Sequence, residues 1–366
     1  MNTKKNGNYG KLIAFFLVAV ILVGTFGFAA EGWQSTSQNE SDSGKVDDDS
    51  DKADENKDDE NKEPEIYIPE FVSSLSGLEV TESVSRQRPV GFVMDSSSPL
   101  YGISGAEVVV ELPTENGQTR LVAFTTSTRE LGKIGSLAPT RGYMSNIAKY
   151  FGAVLVSAGC DDTIEYESLD LSASHFDTTQ NSGYHYTEYT HFVYTNGALI
   201  GAGLANANIG TALNARQQLP FSFAEFGSDK ILGSISARSV VLPFSQSSES
   251  ELYYSEEDGK YSFSKGGVTK TDMLSDKYLA YDNVFVLFAD TVTYESASGS
   301  EMIMNTTSSG TGYYISAGYA TAIKWEANSL GNMTFFTESG EKLTVNRGRS
   351  YIGFLKSSLA ASFKFS

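Results

Sequence analysis

From Arg238 to Leu355 the chain is built of short runs rich in β-branched and aromatic residues, and this pattern constrains the fold more than any other feature. The runs are Arg238 to Phe244, Leu252 to Ser255, Lys260 to Ser264, Val284 to Phe288 and Met302 to Asn305, then Gly312 to Ser316, Thr321 to Trp325, Met333 to Thr337, Lys342 to Asn346 and Tyr351 to Leu355. Each has the length and composition of a strand and is too short for a stable helix. Asp258-Gly259 and Ser339-Gly340 fall between runs, where two-residue hairpins want residues tolerant of positive φ. Residues 231–366 are therefore predicted to form a small all-β domain of meander or sandwich type.

The preceding stretch has another texture. Gly91 to Met94, Ala106 to Leu112, Leu121 to Thr126 and Ala153 to Ser157 read as strands, whereas Arg141 to Phe151 and Asn196 to Asn208 read as helices, the second with Thr195 as its N-cap. Strands mixed with helices predict an α+β (or α/β) amino-terminal domain over 66–230.

Everything before residue 66 lacks such a pattern. Residues 1–11 carry Lys4, Lys5 and Lys11 and no acid, and read as a cytoplasmic basic segment. Leu12 to Ala30 is an uncharged apolar run that would be about 28 Å long as a helix, close to the hydrocarbon thickness of a bilayer. It reads as a transmembrane anchor or as a signal peptide cleaved near Ala29. Residues 31–65 then hold 14 acids and 4 lysines, a disordered acidic linker of net charge −10. The expected localisation is the cell membrane, single-pass with the folded domains outside, or secretion if the signal is cleaved.

Composition excludes several classes. A net charge of −18 leaves no basic face for nucleic acid. A single cysteine, Cys160, makes neither an internal disulfide nor a cysteine-based zinc cage. It is followed by Asp161 and Asp162, whose charges would raise a thiol pKa, so it lacks the setting of a nucleophile. The only histidines, His175, His185 and His191, stand near Asp161, Asp162, Asp170 and Asp177, but their spacing is not that of two ligands on one helix face, and no metal is expected. Ser157 lacks the first glycine of a nucleophile elbow, and Ser262 with Lys265 matches SxxK inside a strand-like run without the partner motifs. With no phosphate-binding glycine loop either, no cofactor is expected.

A longer ordered pattern runs through both domains. It comprises Arg88-Pro89-Val90, Phe92-Val-Met-Asp95, Gly102-Ile-Ser-Gly-Ala-Glu-Val-Val-Val-Glu111, Asn116-Gly-Gln-Thr119-Arg120, Lys133-Ile-Gly135, Arg141-Gly-Tyr143 and Thr190-His191-Phe-Val-Tyr194-Thr195. Further on come Ala237 to Phe244, Leu252-Tyr-Tyr254, Gly310-Thr-Gly312, Ile323-Lys-Trp325-Glu and Val345-Asn346-Arg-Gly348. In this order the chain resembles the YerB-like family of extracytoplasmic, usually lipid-anchored proteins of Gram-positive bacteria, a two-domain family of unknown function. Departures from the family pattern include Ser136-Leu-Ala138-Pro-Thr-Arg141, which keeps only the second of two arginines, Ser157 for a histidine, Asp95 for an asparagine, and no lipid-anchoring cysteine.

Within that pattern Glu111, Thr119, Arg120, Arg141, His191 and Asp95 form the candidate ligand-binding set. Glu111 ends one strand-like run and Arg120 begins the next, so a short turn would bring them to one sheet edge, either as an internal ion pair or as a site where a guanidinium recognises a carboxylate or phosphate. The resemblance implies a binding or scaffolding protein of the bacterial cell envelope, its partner a cell-wall component or an envelope protein. Two other readings are a hydrolase or transferase on wall glycan or peptide, with Glu111 or Asp95 as acid or base and His191 as proton carrier, and a sensory ectodomain for a small anion or peptide. Tyr253, Tyr254, Tyr313, Tyr314 and Tyr319 are further candidates for stacking on sugars.

Overall fold

Residues 66–160 and 175–366, apart from 229, 231, 232, 297 and 298, are described by a computed structural model. The apolar run Leu12 to Ala30, the acidic linker and Asp161, Asp162 and Asp170 lie outside the described residues. The described residues form one compact unit. Among the described residues no helix is long and apolar enough to cross a membrane.

Strands dominate throughout. In chain order the amino-terminal half contributes α1 (Glu82–Ser85), β1 (Val90–Asp95), β2 (Val108–Pro113), β3 (Thr119–Thr125), β4 (Ile134–Leu137), α2 (Gly142–Tyr150), β5 (Val154–Ser157), β6 (His175–Asp177), β7 (Tyr186–Glu188), β8 (Phe192–Thr195) and α3 (Gly197–Asn206). The carboxy-terminal half continues with β9 (Ile235–Ser236), β10 (Ser239–Pro243), β11 (Glu249–Ser255), β12 (Lys260–Lys265), β13 (Val268–Thr269), β14 (Ala280–Tyr281) and β15 (Asn283–Ala289). It ends with β16 (Thr291–Ser296), β17 (Gly299–Met304), β18 (Ser309–Ser316), β19 (Tyr319–Ala327), β20 (Met333–Thr337), β21 (Ser350–Lys356) and β22 (Lys364–Phe365).

The first half is thus more β-rich than the mixed α/β domain expected from sequence. β4, β6, β7 and β8 have only three or four residues each, too few for an alternating pattern to be read.

One 14-stranded sheet runs through both halves in the order β20-β19-β18-β15-β21-β2-β3-β1-β4-β8-β7, with β5 and β6 branching from β1 and β9 pairing with β19. The join is the parallel pair β2–β21, where Val108 meets Ser350 and Glu111 meets Gly353. No break in the sheet therefore corresponds to the predicted boundary near residue 230. Strands at this join are covered on both faces, which explains why β2, β15 and β21 read as continuous apolar runs rather than alternating ones.

A six-stranded sheet, β13-β12-β11-β10-β22 with β14 on β12, covers one face. Its Leu242, Phe244, Leu252, Phe263 and Tyr281 pack against Phe92, Met94, Val109, Leu121 and Tyr351 of the large sheet. Gly353 permits this approach, because a Cβ there would lie 2.2 Å from Leu242. The opposite face, with Val108, Val110, Val122, Phe124 and Phe285, carries Tyr143, Met144, Ile147 and Tyr150 of α2. In the small sheet β11 alternates buried with half-buried or exposed residues, because its outer face meets solvent.

Three local expectations change. Lys342 to Asn346 is no strand, and Lys342 and Val345 make only single bridges to Phe336 and Phe223. Its alternation reflects burial of Leu343 and Val345 in the second core without a ladder partner. The N-cap of α3 is Asn196, whose side chain accepts from Leu199 N at 2.9 Å, while Thr195 ends β8 and donates its hydroxyl to Tyr184 O. The β11–β12 hairpin pairs Ser255 with Lys260, so Asp258 and Gly259 sit in a four-residue loop, with Gly259 at φ +63°.

Candidate functional site

Glu111 is the most constrained carboxylate in the described chain. It is wholly buried between the two sheets, where an ionised group survives only when paired and hydrogen-bonded. Oε1 accepts from Thr119 Oγ1 and Lys265 Nζ, each at 2.6 Å, and Oε2 accepts from Ser250 Oγ at 2.8 Å and Tyr351 OH at 2.6 Å. These donors fill the lone-pair positions of the carboxylate. Burial, and then the Glu111 charge and hydrogen bond, hold the Tyr351 hydroxyl well above its ordinary value, so it stays a donor. Ser250 and Lys265 face one another across β11 and β12, and the ammonium also lies 5.3 Å from the Phe244 ring centre.

Lys265, Ser250 and Tyr351 did not emerge from the sequence as partners of Glu111. One signal was available: Tyr261, Phe263 and Lys265 share a parity in β12, so an inward lysine follows two inward aromatics and calls for an internal acid.

The other predicted site residues separate. Arg120 pairs with Leu112 and Asp95 in register, whereas Glu111 pairs with Leu121, so Arg120 and Glu111 point to opposite faces of the sheet and the expected pair does not form. Asp95 closes a turn after β1, accepting from Ser97 N at 2.8 Å and Ser98 Oγ at 3.0 Å. His191 stands exposed in the β7–β8 hairpin with its ring 4.1 Å from that of Phe192. The adjoining strand β8 is four steps from β2, roughly 19 Å at about 4.8 Å per strand. Thr119 is the one member that joins Glu111.

Arg141 has its own acid, Glu115. Its Nε donates to Glu115 Oε1 at 3.2 Å, its Nη2 to Oε2, and its Nη1 to Thr140 O at 3.3 Å, with Met302 N adding a bond to Glu115 Oε1 at 3.1 Å. Burial pushes the Glu115 carboxyl up, but the Arg141 hydrogen bond and charge together with the amides outweigh it, and the net direction is down from 4.5. Asp272 behaves alike. Burial is again opposed, by Ser104 and by the amides of Leu274, Ser104 and Gly102, and the net shift is down from 3.8.

His175 lies buried beside Ser157, with Nε2 2.8 Å from Ser157 Oγ, and the Ser157 hydroxyl donates to Gly159 O at 3.0 Å. Burial lowers the His175 pKa from 6.5 against the pull of Asp177. Among the described residues no three His, Cys, Asp or Glu side chains are grouped to hold a metal.

These directions set an order of acid loss. A depressed pKa contributes stability that is complete above the unfolded value and is lost as pH falls through the folded one. Chemical denaturation at stepped pH should therefore show a first decline below about 6.5, from His175, and a second below about 4.5, from Glu115 and Asp272. His175→Gln should remove the first decline and leave the second; a single decline in the parent chain would contradict the assignment.

A cleft of about 250 Å³ opens beside Lys265, lined by Ser96, Ser97, Gln118, Ser248 and Lys270 among others. Gly117, at φ +73°, lies under the β10–β11 hairpin, where a Cβ would meet Ser245 Oγ at 2.6 Å and where Ser245 donates to Gly117 O. The motif spanning Asn116 to Arg120 therefore makes a seam between the two halves of the chain.

The family comparisons fall on the two sides of this seam. The family model described as protein of unknown function (DUF3048), N-terminal domain, matches residues 75–210, and its C-terminal counterpart matches residues 240–352. The chain belongs to this YerB-like, two-domain family of unknown function. Its fold is similar to the crystal structure of the YerB protein from Bacillus subtilis, at 20% identity and a TM-score of 0.69, over 81% of this chain and 99% of that one. No curated protein matches.

The seam is built from both family segments. Glu111 and Thr119 belong to the first, Ser250, Lys265 and Tyr351 to the second. Asp272 of the second likewise accepts from Gly102 N at 3.0 Å and Ser104 N at 2.8 Å of the first.

Proposed function

We propose that the chain is a membrane-tethered, extracytoplasmic binding or scaffolding protein of the bacterial envelope, connected with the cell wall or its synthesis machinery. The tether is the apolar run Leu12 to Ala30 behind Lys4, Lys5 and Lys11, and the acidic linker lifts the folded unit off an anionic surface. In this reading the amino-terminal segment is a mixed domain and the carboxy-terminal segment a small all-β domain, joined edge to edge.

One observation favours binding over hydrolysis or transfer: Glu111 has its acceptor positions filled by Thr119, Lys265, Ser250 and Tyr351 within the fold. A general acid or base must instead reach a substrate proton. His191, the proton carrier of the enzyme reading, stands on a separate hairpin.

The test is fractionation of a Gram-positive host expressing the full chain. The protein should resist alkaline carbonate extraction and be cut by protease added outside protoplasts. Val18→Arg with Val20→Arg, each costing about 2.5–3.5 kcal/mol at a bilayer centre, should release it from the membrane fraction. A carbonate-soluble chain shielded from external protease would overturn the reading, and a shortened chain in the medium would replace the anchor by a cleaved signal.

A further inference from the structure

The outer face of the small sheet carries an open groove that the Glu111 seam does not use. Tyr253 pairs with Ser262 and Ser262 with Ala280, so these three side chains form one row across β11, β12 and β14. Their neighbours Leu252, Tyr261, Phe263 and Tyr281 point inward into the core, which fixes the row as outward. Tyr278, two residues before Ala280, is 67% exposed, and Tyr253 is 44% exposed. Tyr253 and Ala280 thus lie two strand spacings apart, roughly 10 Å, over a floor of small residues.

A pocket of about 380 Å³ lies on this face, lined by Ser255, Asp258, Lys260, Ser262, Tyr278 and neighbouring small residues. That volume is in the range of small-ligand sites. Its polar groups retain capacity for a ligand. Ser255 Oγ accepts from Asp258 N at 3.2 Å and keeps its own hydrogen to donate. Among the described residues the Asp258 carboxylate accepts no side-chain or backbone hydrogen bond, and Lys260 reaches only a long ion pair of 3.9 Å with Asp282.

The chemistry narrows the ligand. Asp258 opposes an anion, and the hydroxyl and charged groups oppose an apolar peptide. A pyranose satisfies both demands, since its C–H face lies on the electron-rich face of a tyrosine while its hydroxyls fan outward as donors and acceptors. From this geometry we propose that the groove beside Tyr278 binds a neutral hexopyranose chain, with Tyr278 as the stacking platform in the pocket, Tyr253 flanking it on the same face, Asp258 and Lys260 fixing hydroxyls, and Ser262 and Ala280 as the floor. The inference rests on the binding-protein reading above and names its ligand class.

The test is calorimetric titration of the full-length chain, in mild detergent, with the tetrasaccharides of β-1,4-linked glucose, N-acetylglucosamine and mannose. At least one should bind saturably with a Kd on the order of 1 mM or tighter. Tyr278→Ala should weaken it roughly tenfold, and Tyr278→Phe should retain it. Ala280→Gln, which fills the floor and leaves both rings, should abolish binding and serves if Tyr278→Ala disturbs folding. No saturation by roughly 10 mM with any of the three, or parent-like binding by Tyr278→Ala and Ala280→Gln, overturns the proposal. The titration needs no membrane, so its failure would leave the tether intact, and a failed fractionation would leave the groove.

Discussion

Replacing Lys265 by methionine should cost about 3–5 kcal/mol of folding stability and lower Tm on the order of 10 °C. Methionine retains an unbranched apolar stem of similar length, so little packing is lost. What it removes is the cation 2.6 Å from a fully buried carboxylate. The side chain of Lys265 is only 11% exposed and that of Glu111 is wholly buried, so solvent screens the pair far less than a surface one. Thr119, Ser250 and Tyr351 still donate to Glu111, but three neutral hydrogen bonds do not replace the opposite charge.

The same logic makes the double variant informative. Glu111→Gln with Lys265→Met removes both charges, and its loss should fall short of the sum of the single losses by about 2–3 kcal/mol. Equilibrium urea denaturation of the three variants measures this coupling. A loss under about 1 kcal/mol for Lys265→Met would mean that the pair behaves as a solvated one.

The position of Lys265 also shows how far the sequence could be read. The central strands were legible because β2, β3, β15 and β21 are compact apolar runs with few readings other than strand. Their joining into one sheet was not, since parallel pairing of Val108 with Ser350 spans most of the chain and leaves no local mark. Side-chain partners fared according to face. Glu111 and Thr119 share a face through the parity of β2 and β3, but the register that sends Arg120 to the other side depends on the length of the turn at Glu115–Gly117. An acid followed by an arginine nine residues later looks like a pair until that register is known.

The ordered family motifs take a different meaning once they are placed. Gly102 and Ser104 bind Asp272, Gly117 admits Ser245, and Thr119 supports Glu111. In the first two cases a motif residue of the first segment contacts the second, and in the third it supports the carboxylate that Ser250, Lys265 and Tyr351 of the second segment reach. Much of the pattern that spans both family segments is therefore explained by their docking on one another, and the features left facing solvent, such as the Tyr278 groove, are where a ligand has to be sought.

Arg141 neutralises Glu115, which accepts from Met302 N of the second segment, and Arg141→Ala should accordingly unfold the chain more readily rather than silence a folded one. Its side chain is 6% exposed and that of Glu115 13%, and the fork of Nε and Nη2 engages both carboxylate oxygens. Truncation leaves Glu115 with the Met302 amide but without its cation, at a cost of about 3–5 kcal/mol. Arg141→Lys should fall between parent and alanine, because a point charge cannot reproduce the two-pronged contact.

A second readout separates this pair from a general loss of packing. In the parent, the depressed Glu115 pKa makes stability fall as pH drops below about 4.5. Without Arg141 the depression has lost its cationic cause, so the stability of Arg141→Ala should decline less steeply between pH 5 and about pH 3 than that of the parent. Denaturant midpoints across that range decide the matter. An Arg141→Ala chain with parent-like stability at pH 7 would return the guanidinium to the list of groups available to a ligand.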